Sequence, residues 1–419
     1  MQHVTHPSLA FTKTQLVNKR FFILVQKNIS ALSIIGLMLT LWTLGGCVGP
    51  PALRPTVIGY DRITNQVEQE LMLLNIARMH HRTVPHFTVT GSIAATFDFT
   101  TSAGASGRLE GSPGTDSLTL NWGASASENP TFSIIPISGQ EFTKRLVSPM
   151  PEEAFATLAF QSVNIQLITR LMAEGIELQE KDGRFKRFIA NNPFKRKEYE
   201  EFRRLALHLA GLQNNQQLFI RKLIFDQPVI AGLKWQPTGK DLWQGSNLRW
   251  TLNADGTWKV TRKRRGRTLI SNYDTIGLSN QARFELNQIA EKNAQNFITI
   301  DIHPDYPGGD LPIFGAIKLR SLYKILAFIG NGIEHNKEYE VAKAPQTPQP
   351  IGANPRETLA VRLSDQPPAD GIPNAYYLGK YYQVADSDWD RLSFIVLNIL
   401  LQITVTDVSQ VGIPITISK

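Results

Sequence analysis

Cys47 is the only cysteine in this chain of 419 residues, and its neighbours suit one kind of chemistry. It follows Leu44-Gly45-Gly46, and an apolar run from Ala31 to Leu44 precedes it. The two glycines leave the backbone open to a peptidase, and the thiol beside them can take a diacylglyceryl group. The amine freed by cleavage can then take a further acyl chain such as palmitate. Each buried methylene contributes about 0.8 kcal/mol, so two or three acyl chains hold a protein stably on a bilayer. No cysteine then remains for a disulfide, and the fold must stand on its core.

The rest of the chain offers weaker candidates. His80, His81 and His86 are close enough in sequence to suggest a metal. Adjacent helical positions point in different directions, however, and metal-binding pairs on a helix share a face. Closure of a helix end explains them better, because the helix dipole favours positive groups there. Asp301, His303 and Asp305 alternate in an extended segment rich in Pro and Gly, where turn chemistry accounts for the acids. Asp386, Asp388 and Asp390 imitate the start of a calcium loop, but Arg391 and Leu397 stand where Gly and Glu are required. That triplet reads as the start of a helix. No G-x-S-x-G, H-E-x-x-H or P-loop pattern occurs. The sequence therefore predicts no catalytic residue, no metal and no cofactor. The densest basic run, Arg262, Lys263, Arg264, Arg265 and Arg267, could touch lipid phosphates; it reads first as a solvated hairpin tip.

Charge narrows the partners. Lys13, Lys19, Arg20 and Lys27 precede the apolar run with no acidic residue among them, as in a signal peptide. Taking these four from the 44 basic residues leaves 40 against 36 acidic, a net of +4 for the mature chain. That is too mild to argue for nucleic acid. A hydrophobic content of 42% suits a core-forming protein. The 44–47 stretch resembles a bacterial lipobox, with residues 1–46 as a cleaved signal peptide. Val48 rather than Asp follows the cysteine, and the resemblance implies the outer membrane, with the body on the periplasmic face.

The elements behind these residues are legible in part. Residues 47–59 read as a tether. Ile63, Val67, Leu71 and Leu74 fall at helical spacing within a helix over 60–81. From Phe87 the period changes to two. Phe87, Val89, Ile93, Phe97 and Phe99 alternate with polar residues, and after a turn at 111–116 so do Leu118, Leu120 and Trp122. This predicts a long β-hairpin over 87–136 with one apolar face. Helices are predicted over 152–174, 197–212, 318–330 and 388–402. A polar hairpin turns at Asn253-Ala254-Asp255-Gly256, and strands are expected at 376–384 and 413–417. The whole reads as α+β in three regions, 60–190, 191–300 and 301–419, the last with a Pro-rich loop at 343–355.

Several stretches together resemble a family of proteobacterial envelope proteins of uncharacterised activity, many with lipoprotein signals. They are Leu73-Leu74-Asn75-Ile76-Ala77-Arg78, Asn129-Pro130-Thr131-Phe132 through Pro149, Arg320-Ser321-Leu322-Tyr323 through Ile333, and Tyr376 to Asp390. Their order carries the resemblance, which spans most of the mature chain and supplies no catalytic residue; Arg262 to Arg267 departs from it.

The expectation is a non-enzymatic lipoprotein held to membrane lipid through acylated Cys47. Its hairpin would make it a homo-oligomer or bind it to another envelope protein. The alternative is a monomeric scaffold facing the periplasm; an envelope enzyme is a third reading. The apolar face of the hairpin separates the first two.

Overall fold

The computed structural model describes residues 49–108, 117–240, 248–405 and 415–418. Cys47, the Leu44-Gly45-Gly46 stretch and the 111–116 turn lie outside the described residues. The chain divides into two units, Met1–Asn65 and Gln66–Lys419. The architecture is α+β, with eight helices and three sheets among the described residues.

Helix α1 (Gly49–His80) is longer than its periodicity suggested and already includes most of the expected tether. In the first unit its Val57, Ile58 and Ile63 are exposed. In the second unit Met72, Leu73, Ile76 and Ala77 are buried in the core. The hairpin follows, as strands β1 (Phe87–Arg108) and β2 (Ser117–Ile137). Short helices α2 (Gln140–Val147) and α3 (Glu152–Phe160) come next.

The helix expected over 152–174 is interrupted. Asn164 accepts a hydrogen bond from the Gln166 N–H and starts a new helix, α4 (Ile165–Met172). All eight residues of α4 are buried, including the polar Gln166, Thr169 and Arg170. Strand β3 (Ala173–Gln179) begins at once, followed by β4 (Phe185–Ala190) and helix α5 (Arg196–Asn214).

The main sheet has seven strands. Strands β5 (Phe219–Leu233), β6 (Leu248–Leu252) and β7 (Trp258–Ser271) precede helix α6 (Asn280–Glu291). Strands β8 (Phe297–Ile302) and β9 (Ile313–Leu319) complete the sheet. The order is β4-β3-β9-β8-β7-β5, with β6 beside β7. Only β7 and β8 run parallel, and α6 makes the crossover that a parallel pair needs. Strands from 60–190, 191–300 and 301–419 thus share one sheet.

Helix α7 (Leu322–Gly332) starts later than expected, because Lys318 and Leu319 end β9 and Ser321 caps the helix through the Lys324 N–H. The Pro-rich loop follows, then β10 (Val361–Ser364), β11 (Asn374–Tyr377) and β12 (Lys380–Val384) in a small sheet of order β10-β12-β11. The expected strand at 376–384 is a hairpin here. Leu378 at φ 47 and Gly379 at φ 85 make the left-handed pair that a two-residue turn uses. Helix α8 (Asp388–Thr404) and strand β13 (Ile415–Ser418) close the chain.

Candidate functional site

The hairpin is rooted in the core. Phe87 and Ile137 face each other across the ladder and both are buried. The Phe87 ring packs edge-on against Phe142 of α2 at 5.4 Å. The buried Asn75 carboxamide ties α1 to the start of β1, since its Oδ1 accepts from the His86 N–H at 2.8 Å and from Arg78 Nη1 at 3.0 Å. A groove of about 180 Å³ lies beside this root, lined by Leu71 and Met72 of α1 and Leu401 and Val405 of the α8 region.

Above the root, register decides which positions share a face, because directly opposed residues of an antiparallel pair lie on the same side. A bulge between Thr90 and Ser92 shifts the ladder by one residue, at Gly91. Phe87 and Val89 therefore lie on the opposite sheet face from Ile93, Phe97 and Phe99. The single apolar face expected from strict alternation is in fact two patches, one at the root and one along the shaft. A count of two along the sequence cannot register an extra residue.

Along the shaft the two strands agree. Phe99 is paired with Ala126, Ala103 with Trp122, Ala105 with Leu120 and Gly107 with Leu118, and Thr101 with Ala124 is the single polar interruption. The other face pairs Thr96 with Asn129, Asp98 with Ser127, Thr100 with Ser125, and Ser106 with Thr119. The apolar band starts above the Phe97–Glu128 pair and runs over 99–107 and 118–126.

The strand edges are open along this band. Among the described residues β1 pairs only with β2, and β13 covers β2 only from Thr131 to Ile134. Pro130 and Pro136 bracket that short patch, and a proline has no N–H to extend an edge ladder. On α8, Leu392, Ile395, Ile399 and Ile403 form an exposed stripe at helical spacing. No helix among the described residues is long and apolar enough to cross a membrane.

The remaining sequence candidates fall elsewhere. Asp301 is the penultimate residue of β8, and its Oδ2 accepts from the Tyr273 hydroxyl at 2.7 Å. Burial pushes its carboxyl up, with Tyr273 opposing that shift. His303 and Asp305 sit in the β8–β9 loop, with Nδ1 3.3 Å from Oδ2. These three residues border a cavity of about 380 Å³ together with Tyr306 and Phe314.

Asp390 is the buried member of its acidic triplet. Ser387 caps α8 by accepting from the Asp390 N–H, and Asp390 anchors the helix, its Oδ2 accepting from the Ser387 hydroxyl at 2.6 Å and its Oδ1 from the Ala360 N–H at 2.7 Å. Asp386 and Asp388 both pair with Arg391.

The basic run lies within β7, away from the turn at Asn253 to Gly256, and so is not a hairpin tip. Arg267 is a structural clamp. Its Nε pairs with Glu152 at 2.6 Å, and its guanidinium donates to the carbonyls of Asn293, Ala294 and Phe297.

Two groupings escaped the sequence reading. Arg170 of α4 and Arg203 of α5 are fully buried and converge on the Pro-rich loop. Arg170 donates to the carbonyls of Pro355 and Arg356, and Arg203 to those of Arg356 and Pro355 and to Asn354 Oδ1. An arginine amid Ile165, Leu167, Ile168 and Leu171 was the available signal. Of the three histidines weighed as a group, only His80 meets other ligand types: Glu334 and His335, which follow α7. His81 Nε2 instead lies 2.8 Å from the Tyr382 hydroxyl.

Comparison with protein-family models, with curated proteins and with solved structures finds no match to this chain.

Proposed function

We propose that this chain is a non-enzymatic outer-membrane lipoprotein, anchored through acylated Cys47, whose hairpin joins those of neighbouring copies in a shared, membrane-crossing sheet. The observation that carries this reading is the register of the shaft. Nine paired positions, 99–107 with 118–126, put apolar and small residues on one face and polar residues on the other. A tilted strand crosses a bilayer in about 9–11 residues, and a barrel strand alternates in this way between lipid and lumen.

The open edges support the same reading. A lone two-stranded hairpin is marginal in water, and unpaired strand edges are templates for further strands. Spanning barrels need at least about 8 strands, which sets a minimum of roughly four copies. At about 3.4 Å per residue β1 is roughly 75 Å long, so the part below Glu128 would stand outside the membrane. The exposed stripe on α8 offers a second contact between copies. The family resemblance belongs with this proposal and adds no activity to it.

The test is the mass of the detergent-solubilised mature protein. The parent should be a homo-oligomer of about four or more copies. A variant with 99–126 replaced by Asn-Gly should be a folded monomer. Cys47→Ser should remain an unprocessed precursor without incorporated fatty acid. A parent that is monomeric, or an oligomer indifferent to the shortening, favours the scaffold reading; normal processing of Cys47→Ser removes the anchor from the proposal.

A further inference from the structure

The end of α1 meets the end of α7 at three potential ligands. His80 is the last residue of α1 and is buried, whereas Glu334 and His335 are exposed in the turn after α7. That turn continues the helix, with the His335 N–H donating to the Asn331 carbonyl at 3.1 Å. One ligand atom from each of the three side chains lies within 4.8 Å of the other two.

The tautomer of His80 gives the group its direction. Its Nδ1 lies 3.2 Å from the Gly330 carbonyl oxygen. A carbonyl can only accept, so Nδ1 carries the hydrogen and Nε2 presents its lone pair. An imidazole held through one nitrogen by a backbone carbonyl is the usual support for a metal-binding histidine. The free Nε2 faces Glu334 Oε2 at 3.4 Å, which sets two acceptors against each other. A proton could bridge that pair. The imidazole of His335, stacked on His80 with ring centres 5.8 Å apart, brings a third ligand atom within 4.8 Å of the other two, and no single proton can hold all three together. A metal ion can. Ligands about 2.1 Å from a tetrahedral ion stand ~3.4 Å from one another, which is the spacing found between His80 and Glu334.

We propose that His80, Glu334 and His335 bind one divalent transition-metal ion of the zinc class, with a fourth position open to solvent. Two imidazoles and a carboxylate suit zinc or its neighbours better than calcium or magnesium, which prefer all-oxygen sets. The ion would tie α1 to α7 six residues before β1 begins. This inference is independent of how the hairpin assembles.

The experiment uses the full chain in detergent, stripped with EDTA and titrated with zinc chloride. Metal content after dialysis should reach one equivalent, and cobalt chloride should give the visible absorption of a four-coordinate site. Glu334→Gln and His335→Ala change exposed side chains and should leave the metal-free melting temperature as in the parent. Each should weaken zinc binding at least about tenfold. His86→Ala, outside the group, should bind as the parent does. A parent that retains no zinc or cobalt overturns the proposal, as does undiminished binding by either His335→Ala or Glu334→Gln.

Discussion

Arg170 Nη2 stands 3.2 Å from Glu338 Oε1, and both side chains are buried. The carboxylate is saturated. The same oxygen accepts from the Tyr199 hydroxyl at 2.7 Å and from the Thr358 hydroxyl at 2.9 Å, while Oε2 accepts from the Thr358 N–H. Trp389 lies 5.6 Å beneath the Arg170 guanidinium. Helices α4 and α5, the Pro-rich loop and α8 therefore meet at one charged point. This is why a stretch that reads as a linker behaves as part of the core. Its prolines leave carbonyls free of any ladder, and two buried arginines take them up.

Glu338→Gln should destabilise the protein by about 3–5 kcal/mol, because it leaves Arg170 charged and buried without its partner. Burial alone would raise the Glu338 carboxyl, but Arg170, the Thr358 N–H and Tyr199 outweigh it and hold the group below its ordinary 4.5. With a depressed folded-state value, the stabilisation is present above about pH 4.5 and is lost as the pH falls through the folded value. Urea unfolding at a series of pH values should show the parent–variant gap widest near neutrality and shrinking below pH 4.5. A gap independent of pH would mean that the charge contributes nothing.

Gly330 marks the tightest crossing between α1 and α7. A Cβ there would sit 2.8 Å from the His80 nitrogen and 3.0 Å from the Ile76 carbonyl oxygen, both of which are backbone. Gly330→Ala should cost about 1–3 kcal/mol by overpacking, despite the better helix propensity of alanine. Gly332→Ala, two residues on with open space around it, should be neutral or gain up to about 1 kcal/mol. Thermal unfolding of the two variants checks the contrast, and equal melting temperatures would show that the helices can shift apart freely.

How much of this was readable beforehand depended on whether a local pattern carried it. The hairpin shaft, the Asn253 to Gly256 turn, α5 and α8 are each written in period or turn residues. The helix-starting acids at Asp386 to Asp390 were legible for the same reason. Strands β3, β5, β8 and β9 were not, since they are short or irregular and are specified by partners up to a hundred and more residues away. The Gly91 bulge was hidden because alternation counts residues and the ladder counts pairs. His80 was visible as a histidine, but its neighbours Glu334 and His335 lie some 250 positions along the chain, beyond the reach of any spacing rule.

The two faces of the shaft should respond differently to the same charge. Phe99 and Thr100 are consecutive in β1, with Phe99 opposite Ala126 and Thr100 opposite Ser125, so they lie on opposite faces. If the band 99–107 meets lipid, Phe99→Asp places a carboxylate where neither water nor a counter-ion can reach it, at a cost of roughly 1–3 kcal/mol per copy. In a closed ring that cost recurs in every subunit, so assembly should fail and the protein should solubilise as a monomer. Thr100→Asp adds the same charge to the polar face, where a water-filled lumen can solvate it, and should assemble within about twofold of the parent yield. Blue native electrophoresis and sedimentation in detergent distinguish the outcomes. If Phe99→Asp assembles as well as Thr100→Asp, the shaft is solvated on both faces. The contact between copies, if any, then lies on the body, where the α8 stripe of Leu392, Ile395, Ile399 and Ile403 is the next surface to change.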